Sequence, residues 1–157
     1  MKLLFLCTHN ACRSIVAEAV ARQLGGMRLQ VQSAGSHSSG RVHPLTLRYL
    51  KEAGYSVDGL DSQSVDDVAT FSPDVVITVC DAAAQEPCPL WLGQAERVHW
   101  GLSDPSRLQG SDADKAGAFA SLIRTIEHRI KALLTKPFDN IDSGELAELL
   151  NNIAMEQ

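Results

Sequence analysis

The sequence predicts an α/β protein: a single-domain three-layer sandwich in which a four-stranded parallel sheet carries helices on both faces. Three observations lead there. Short apolar runs alternate along the chain with segments of helical period, the pattern of right-handed βαβ crossovers. The chain has 157 residues, of which 45% are hydrophobic and 21% charged, enough to bury one core without disulfide or metal staples. No internal repeat, low-complexity tract or Pro/Gly/Ser-rich linker divides it.

The elements follow in order. Leu3-Leu4-Phe5-Leu6 is a continuous apolar strand of the kind buried on both faces. Residues 14–24 form a helix, with Ile15, Val16, Ala19, Val20 and Leu24 at helical spacing and a stop at Gly25-Gly26. Residues 28–33 alternate like a second strand and run into Ala34-Gly35. A second helix spans residues 44–52, with Pro44 tolerated in its first turn, Leu47, Tyr49 and Leu50 apolar, and Gly54 as its cap. Residues 75–79 are β-branched throughout and make the clearest strand, and residues 97–100 make a shorter one. A long amphipathic helix over residues 112–134 is closed by Lys136-Pro137. Asp142 and Glu145 then have capping-box spacing ahead of the stripe Leu146, Leu149, Leu150 and Ile153. The chain thus divides into a domain over residues 1–136 and a C-terminal helical extension over 137–157.

Composition narrows the function classes. Fourteen basic against nineteen acidic residues give a net charge of −5, which excludes a nucleic-acid partner held by general phosphate contacts but not one local anion pocket. The N-terminal apolar run is short and no later segment reaches about 18 apolar residues, so neither a signal peptide nor a membrane partner is expected. A cytoplasmic protein follows. In that compartment Cys7, Cys12, Cys80 and Cys88 should be reduced thiols. Core burial, metal ligation and redox chemistry are all open to them at this stage. Zinc fits poorly, because neither Cys7/Cys12 nor Cys80/Cys88 has the tight Cys-x2-Cys spacing of zinc modules.

The first strand-to-helix turn reads Cys7-Thr8-His9-Asn10-Ala11-Cys12-Arg13-Ser14. Ligands of parallel α/β sheets bind beyond the carboxyl ends of the strands, and each residue type here suits an oxyanion. Cys7 faces a helix N-terminus, which lowers a thiol pKa. The backbone N–H groups of Thr8, His9, Asn10, Ala11 and Cys12 can curl around an anion. Arg13 supplies a planar fork for two oxygens. Ser14 can hydrogen-bond the Cys7 thiolate, and Asn10 tolerates left-handed backbone angles. Ser103-Asp104-Pro105 follows the last strand and lies at the same sheet edge, where Asp104 can protonate a leaving oxygen. His37, His43, His99 and His128 show no metal-ligand spacing and read as structural or surface residues.

Cys7 to Ser14 together with Asp104-Pro105 resemble the two signatures of the low-molecular-weight protein tyrosine phosphatase fold. Val76-Ile77-Thr78-Val79-Cys80, with Cys88-Pro89 and His99-Trp100-Gly101, resembles the arsenate reductases that share it. The resemblance runs from residue 2 to about residue 136 and includes Ser33-Ala34-Gly35. It implies reduction of arsenate to arsenite and a role in arsenic detoxification. Cys7 would form a covalent adduct with arsenate, Cys80 would attack Cys7 as arsenite departs, and Cys88 would carry the disulfide outward. Thioredoxin, or glutathione with glutaredoxin, would then reduce it. No cofactor and no metal is called for. The segment between Cys80 and Cys88 is small and polar and is expected to change conformation between redox states. Asn10, Glu18 and Ser33 match positions that some relatives use for a cation beside the loop. Cys12 has no place in the relay: it is either a structural residue of the loop or a protective disulfide partner of Cys7.

The alternative is a low-molecular-weight protein tyrosine phosphatase, for which the loop and Asp104 suffice. Such phosphatases usually place aromatic residues after the Asp-Pro pair, where this chain has Ser106-Arg107-Leu108, and the cysteine pair would then have no use. A non-catalytic oxyanion-binding or redox-sensing module would need neither the acid nor the full relay.

Overall fold

A computed structural model of the chain describes residues 1–81, 83 and 95–156. Its elements are β1 (Lys2–Cys7), α1 (Arg13–Gly25), β2 (Gln30–Gly35), α2 (Pro44–Glu52), β3 (Val75–Thr78), β4 (Glu96–His99), α3 (Asp112–Leu134) and α4 (Ser143–Met155). The four strands form one sheet in the order β2-β1-β3-β4, and every pairing is parallel.

Successive side chains of a strand point to opposite faces, and β1 shows why its apolar run has no polar interruption. Leu3 and Phe5 join the larger core cluster, with Ile15, Val16 and Val20 of α1 and Phe119, Ile126 and Ile130 of α3. Leu4 and Leu6 join Ala34, Val68 and Val76 on the other face, where Phe71 packs against them. Among the described residues, that second face is covered chiefly by the short 3-10 turn Val65–Val68, begun by a Ser64/Asp67 capping box. Helix α1 is buried at every position from Ser14 to Ala21, so it is a core helix.

β2 starts later than its alternation predicts, because Gly26–Arg28 closes into a 3-10 turn, and it extends to Gly35. That extension matters for the site. Cys7 pairs with Gly35, and Leu6 pairs with Thr78, which in turn pairs with His99. All four strands therefore end at one edge, and the chain segments that leave them meet there.

The C-terminal helix α4 is capped by Asp142, whose side chain accepts from Glu145 N. Leu146, Leu150 and Ile153 are buried in the larger cluster. Trp100, fully buried after β4, donates from Nε1 to Leu150 O at 3.0 Å, and the Arg129 guanidinium lies 5.3 Å from its ring centroid. No helix among the described residues is long and apolar enough to cross a membrane.

Candidate active site

The turn from Cys7 to Ser14 folds back on itself at the sheet edge, and its carbonyls explain how. The oxygens of Cys7, Thr8, His9 and Ala11 accept from the N–H groups of Ser36, His37, Ser39 and His43 at 2.8–3.1 Å. In a trans peptide the carbonyl and the following N–H point in opposite directions. Tying those carbonyls outward therefore turns the N–H groups of Thr8, His9, Asn10 and Cys12 toward the inside of the loop. The Asn10 N–H shows the result, donating to Cys7 Sγ at 3.0 Å. Two backbone features permit the curl. Asn10 adopts φ of 50°, as its residue type allows. Gly35 leaves room where a Cβ would stand 2.6 Å from Thr8 O.

Cys7 is the centre of a directional hydrogen-bond chain. Gln63 N–H donates to Asn10 Oδ1 at 2.9 Å and fixes which way the amide faces. Asn10 Nδ2 then donates to Ser14 Oγ at 2.8 Å and to Ser33 Oγ at 2.9 Å. With its oxygen accepting from Asn10, the Ser14 hydroxyl has its proton free for Cys7 Sγ, 2.9 Å away. On the other arm Ser33 Oγ donates to Glu18 Oε1 at 2.5 Å, and Glu18 is paired with Arg22. Burial pushes the Glu18 carboxyl above its ordinary value, opposed by Ser33 and Arg22.

Ser33 thus links Asn10 to Glu18, and the Arg22 guanidinium supplies positive charge beside the carboxylate.

Position at a helix N-terminus predicts a depressed thiol pKa for Cys7. In the folded chain burial outweighs the loop and pushes the thiol upward, with the neighbouring Cys80 adding to the rise. The hydrogen bonds from Ser14 and Asn10 oppose it. Cys12 is buried beneath the loop, and its thiol is pushed up to about 12, again by burial.

The loop opens into a cavity of about 520 Å³ lined by Cys7, His9, Arg13, Arg41, His43 and Asp104, among others. Arg13 donates from Nη1 to Leu102 O at 3.2 Å, and its Nη2 lies 3.8 Å from Asp104 Oδ2. Asp104 is held in turn by Ser106, whose N–H and hydroxyl reach Oδ1 at 3.0 and 2.5 Å. Arg107 Nε lies 3.6 Å from Oδ2. His9 is turned aside, with Nδ1 3.3 Å from His37 O. Ala11 is fastened by its carbonyl to His43 N and to Thr46 Oγ1.

Cys80 is buried two residues beyond β3. Its sulfur lies 3.5 Å from Thr8 Oγ1 and accepts from Ala83 N at 3.4 Å. Cys7, Arg13, Cys80 and Asp104 are therefore gathered at one sheet edge. Cys7, Cys12 and Cys80 are free thiols. Cys88, Cys88-Pro89 and most of the segment between Cys80 and Cys88 lie outside the described residues. Sequence reasoning missed Gln63, Thr46 and Arg22. Gln63 and Thr46 act through contacts between segments far apart in the chain, which no local pattern marks. Arg22 pairs with Glu18 at i,i+4 on α1, a spacing that could have pointed to it.

The family model for low molecular weight phosphotyrosine protein phosphatase matches residues 2–143. An arsenate reductase of Halalkalibacterium halodurans is 37% identical over 127 residues, covering 81% of this chain and 90% of that protein. A glutaredoxin arsenate reductase of Synechocystis is 32% identical over 135 residues, covering 86% and 97%. Among solved structures, an arsenate reductase in its phosphate-binding state superposes with a TM-score of 0.69 at 30% identity, over 85% of this chain and 96% of that one. A thioredoxin-dependent arsenate reductase of Corynebacterium glutamicum gives 0.64 at 29% identity, over 85% of this chain and 60% of that one. By its signature loop, its sheet and these likenesses, the chain belongs to the low molecular weight phosphotyrosine protein phosphatase family and, within it, to the arsenate reductases.

Proposed function

We propose that this protein reduces arsenate to arsenite in the cytoplasm by a three-thiol relay. The observation that carries the reading is the second buried thiol, Cys80, seated against the oxyanion loop at Thr8. An ester hydrolase has no use for a thiol there, because water completes its cycle.

The chemistry follows from the site. Arsenate enters the cradle of inward N–H groups, and Arg13 clamps two of its oxygens. Burial pushes the Cys7 thiol upward. The thiol proton passes to the oxyanion, the thiolate attacks arsenic, and one oxygen leaves as water with Asp104 relaying a proton. Ser14 and Asn10 N–H stabilise the sulfur's charge. Cys80 then gives its thiol proton to an oxygen of the bound adduct and attacks Cys7 Sγ. The S–As bond breaks with its electron pair staying on arsenic, so arsenic(V) becomes arsenic(III) and a Cys7–Cys80 disulfide remains. Thr8 Oγ1 and the Ala83 N–H are the groups that hold the Cys80 sulfur. Cys88 next attacks Cys80, frees Cys7, and presents a Cys80–Cys88 disulfide to a dithiol donor. That donor is thioredoxin or the glutathione–glutaredoxin system, the two kinds named among the relatives. Residues 1–136 form the catalytic unit in this reading, and 137–157 an extension.

The test is arsenite production from arsenate with each reducing system in turn, for the parent and for Cys7→Ser, Cys80→Ser and Cys88→Ser. All three variants should lose turnover. Hydrolysis of p-nitrophenyl phosphate that survives loss of Cys80 or Cys88, with no arsenite made by the parent, would establish a phosphatase instead.

A further inference from the structure

His99, the last residue of β4, has no part in the chemistry above, yet its ring is fixed at both ends. Nδ1 lies 2.8 Å from Thr78 Oγ1 on the paired strand β3, and Nε2 lies 3.0 Å from Asp81 Oδ1. A carboxylate only accepts, so Nε2 carries a hydrogen and donates to Asp81. Thr78 and Asp81 flank the turn that carries Cys80, and His99 closes a ring across it.

Two further features converge on the same turn. Arg97, two residues earlier on β4, donates from Nη2 to Ala83 O at 3.4 Å. The pair sits closely over Gly101, where a Cβ would stand 3.1 Å from His99 Nε2 and 3.5 Å from Asp81 Oδ1.

The His99 side chain is 40% exposed and that of Asp81 87%, and pairs so exposed add little to stability. Their arrangement instead bears on the position of one sulfur. Cys80 Sγ must meet Cys7 Sγ in line, and small displacements of reacting atoms cost rate steeply.

We propose that His99 is a positioning residue for the second thiol, bridging Thr78 and Asp81 so that the turn holds Cys80 against the oxyanion loop. This rests on Cys80 being the resolving thiol. The experiment therefore forms the Cys7–Cys80 disulfide in two ways, in a Cys12→Ser Cys88→Ser background where no other pairing competes. One arm adds arsenate. The other adds diamide, which oxidises two nearby thiols to a disulfide while itself becoming the hydrazine, and needs no arsenate chemistry.

His99→Ala should slow disulfide formation at least fivefold in both arms. The protection of Cys7 from iodoacetamide by inorganic phosphate, and the melting temperature, should stay as in the background protein. His99→Gln keeps an amide donor toward Asp81 and should recover most of the rate. Asp81→Ala should match His99→Ala, and the double variant should be no slower than either.

An unchanged diamide rate in His99→Ala overturns the proposal, as does a parallel loss of phosphate protection, which would mark a general structural defect. A background protein that pairs its thiols with diamide but not with arsenate would instead overturn the reductase reading. In that event the diamide arm alone decides the role of His99.

Discussion

Removing the Ser14 hydroxyl tests how the loop handles charge on sulfur. Cys7 Sγ receives two hydrogen bonds, from Ser14 Oγ at 2.9 Å and from Asn10 N at 3.0 Å. Burial pushes the thiol upward against them. A hydrogen bond to a charged group contributes about 1.5–3 kcal/mol, and about 1.4 kcal/mol corresponds to a factor of ten in an equilibrium. Ser14→Ala should therefore cut the thiolate fraction of Cys7 at neutral pH by about 10- to 150-fold. The assay is the rate of iodoacetamide alkylation of the Cys7 peptide against pH, read by mass spectrometry. The whole profile should move to higher pH, with the deficit largest below the titration range and vanishing at high pH. Ser33→Ala is the control, since it removes the other Asn10 partner without touching Cys7 and should leave the rate within about threefold. A Ser14→Ala rate equal to the parent at pH 7, or an equal fall in Ser33→Ala, would refute the directional chain from Gln63 through Asn10 to the sulfur.

Arg22→Gln removes the cation that opposes the upward push on buried Glu18. A carboxyl held above its unfolded value costs stability as pH rises through that interval, so the variant's loss in melting temperature should be larger at pH 8 than at pH 5. Equal losses at both would show that Arg22 does not compensate Glu18. Gly35→Ala forces a Cβ to 2.6 Å from Thr8 O; it should lose about 1–3 kcal/mol of stability in denaturant titration and weaken phosphate protection of Cys7. Cys12, buried with its thiol pushed up to about 12, should stay unlabelled by iodoacetamide at pH 8 while Cys7 reacts, and become labelled on denaturation. Asp104→Asn should slow arsenite formation from arsenate by about a hundredfold or more, while phosphate still protects Cys7.

The local chemistry of this protein is written in short stretches of its sequence. An unbroken apolar run such as residues 3–6 belongs to a strand covered on both faces, and the parallel sheet follows from it. Pro44–Glu52 and Asp112–Leu134 fall where their periodicity and stops put them, because helix ends are set by residues within a turn or two. The candidate oxyanion loop stands out for the same reason: the proposed nucleophile, anion fork and hydroxyl lie within eight consecutive positions. What the sequence could not settle depends on groups that meet only after the sheet closes. The Cys7 thiol is displaced upward because folding buries it, with the neighbouring Cys80 adding to the rise and the hydrogen bonds from Ser14 and Asn10 opposing it. The hand of the Asn10 amide is set by a backbone N–H 53 residues away at Gln63. His99, by sequence a structural or surface residue at the end of a strand, acquires its partners because β3 and β4 pair in register, Thr78 against His99. Residue type and spacing determined which reaction the chain is equipped for. Burial and cross-strand register, both consequences of packing, decided how its thiols are tuned and held.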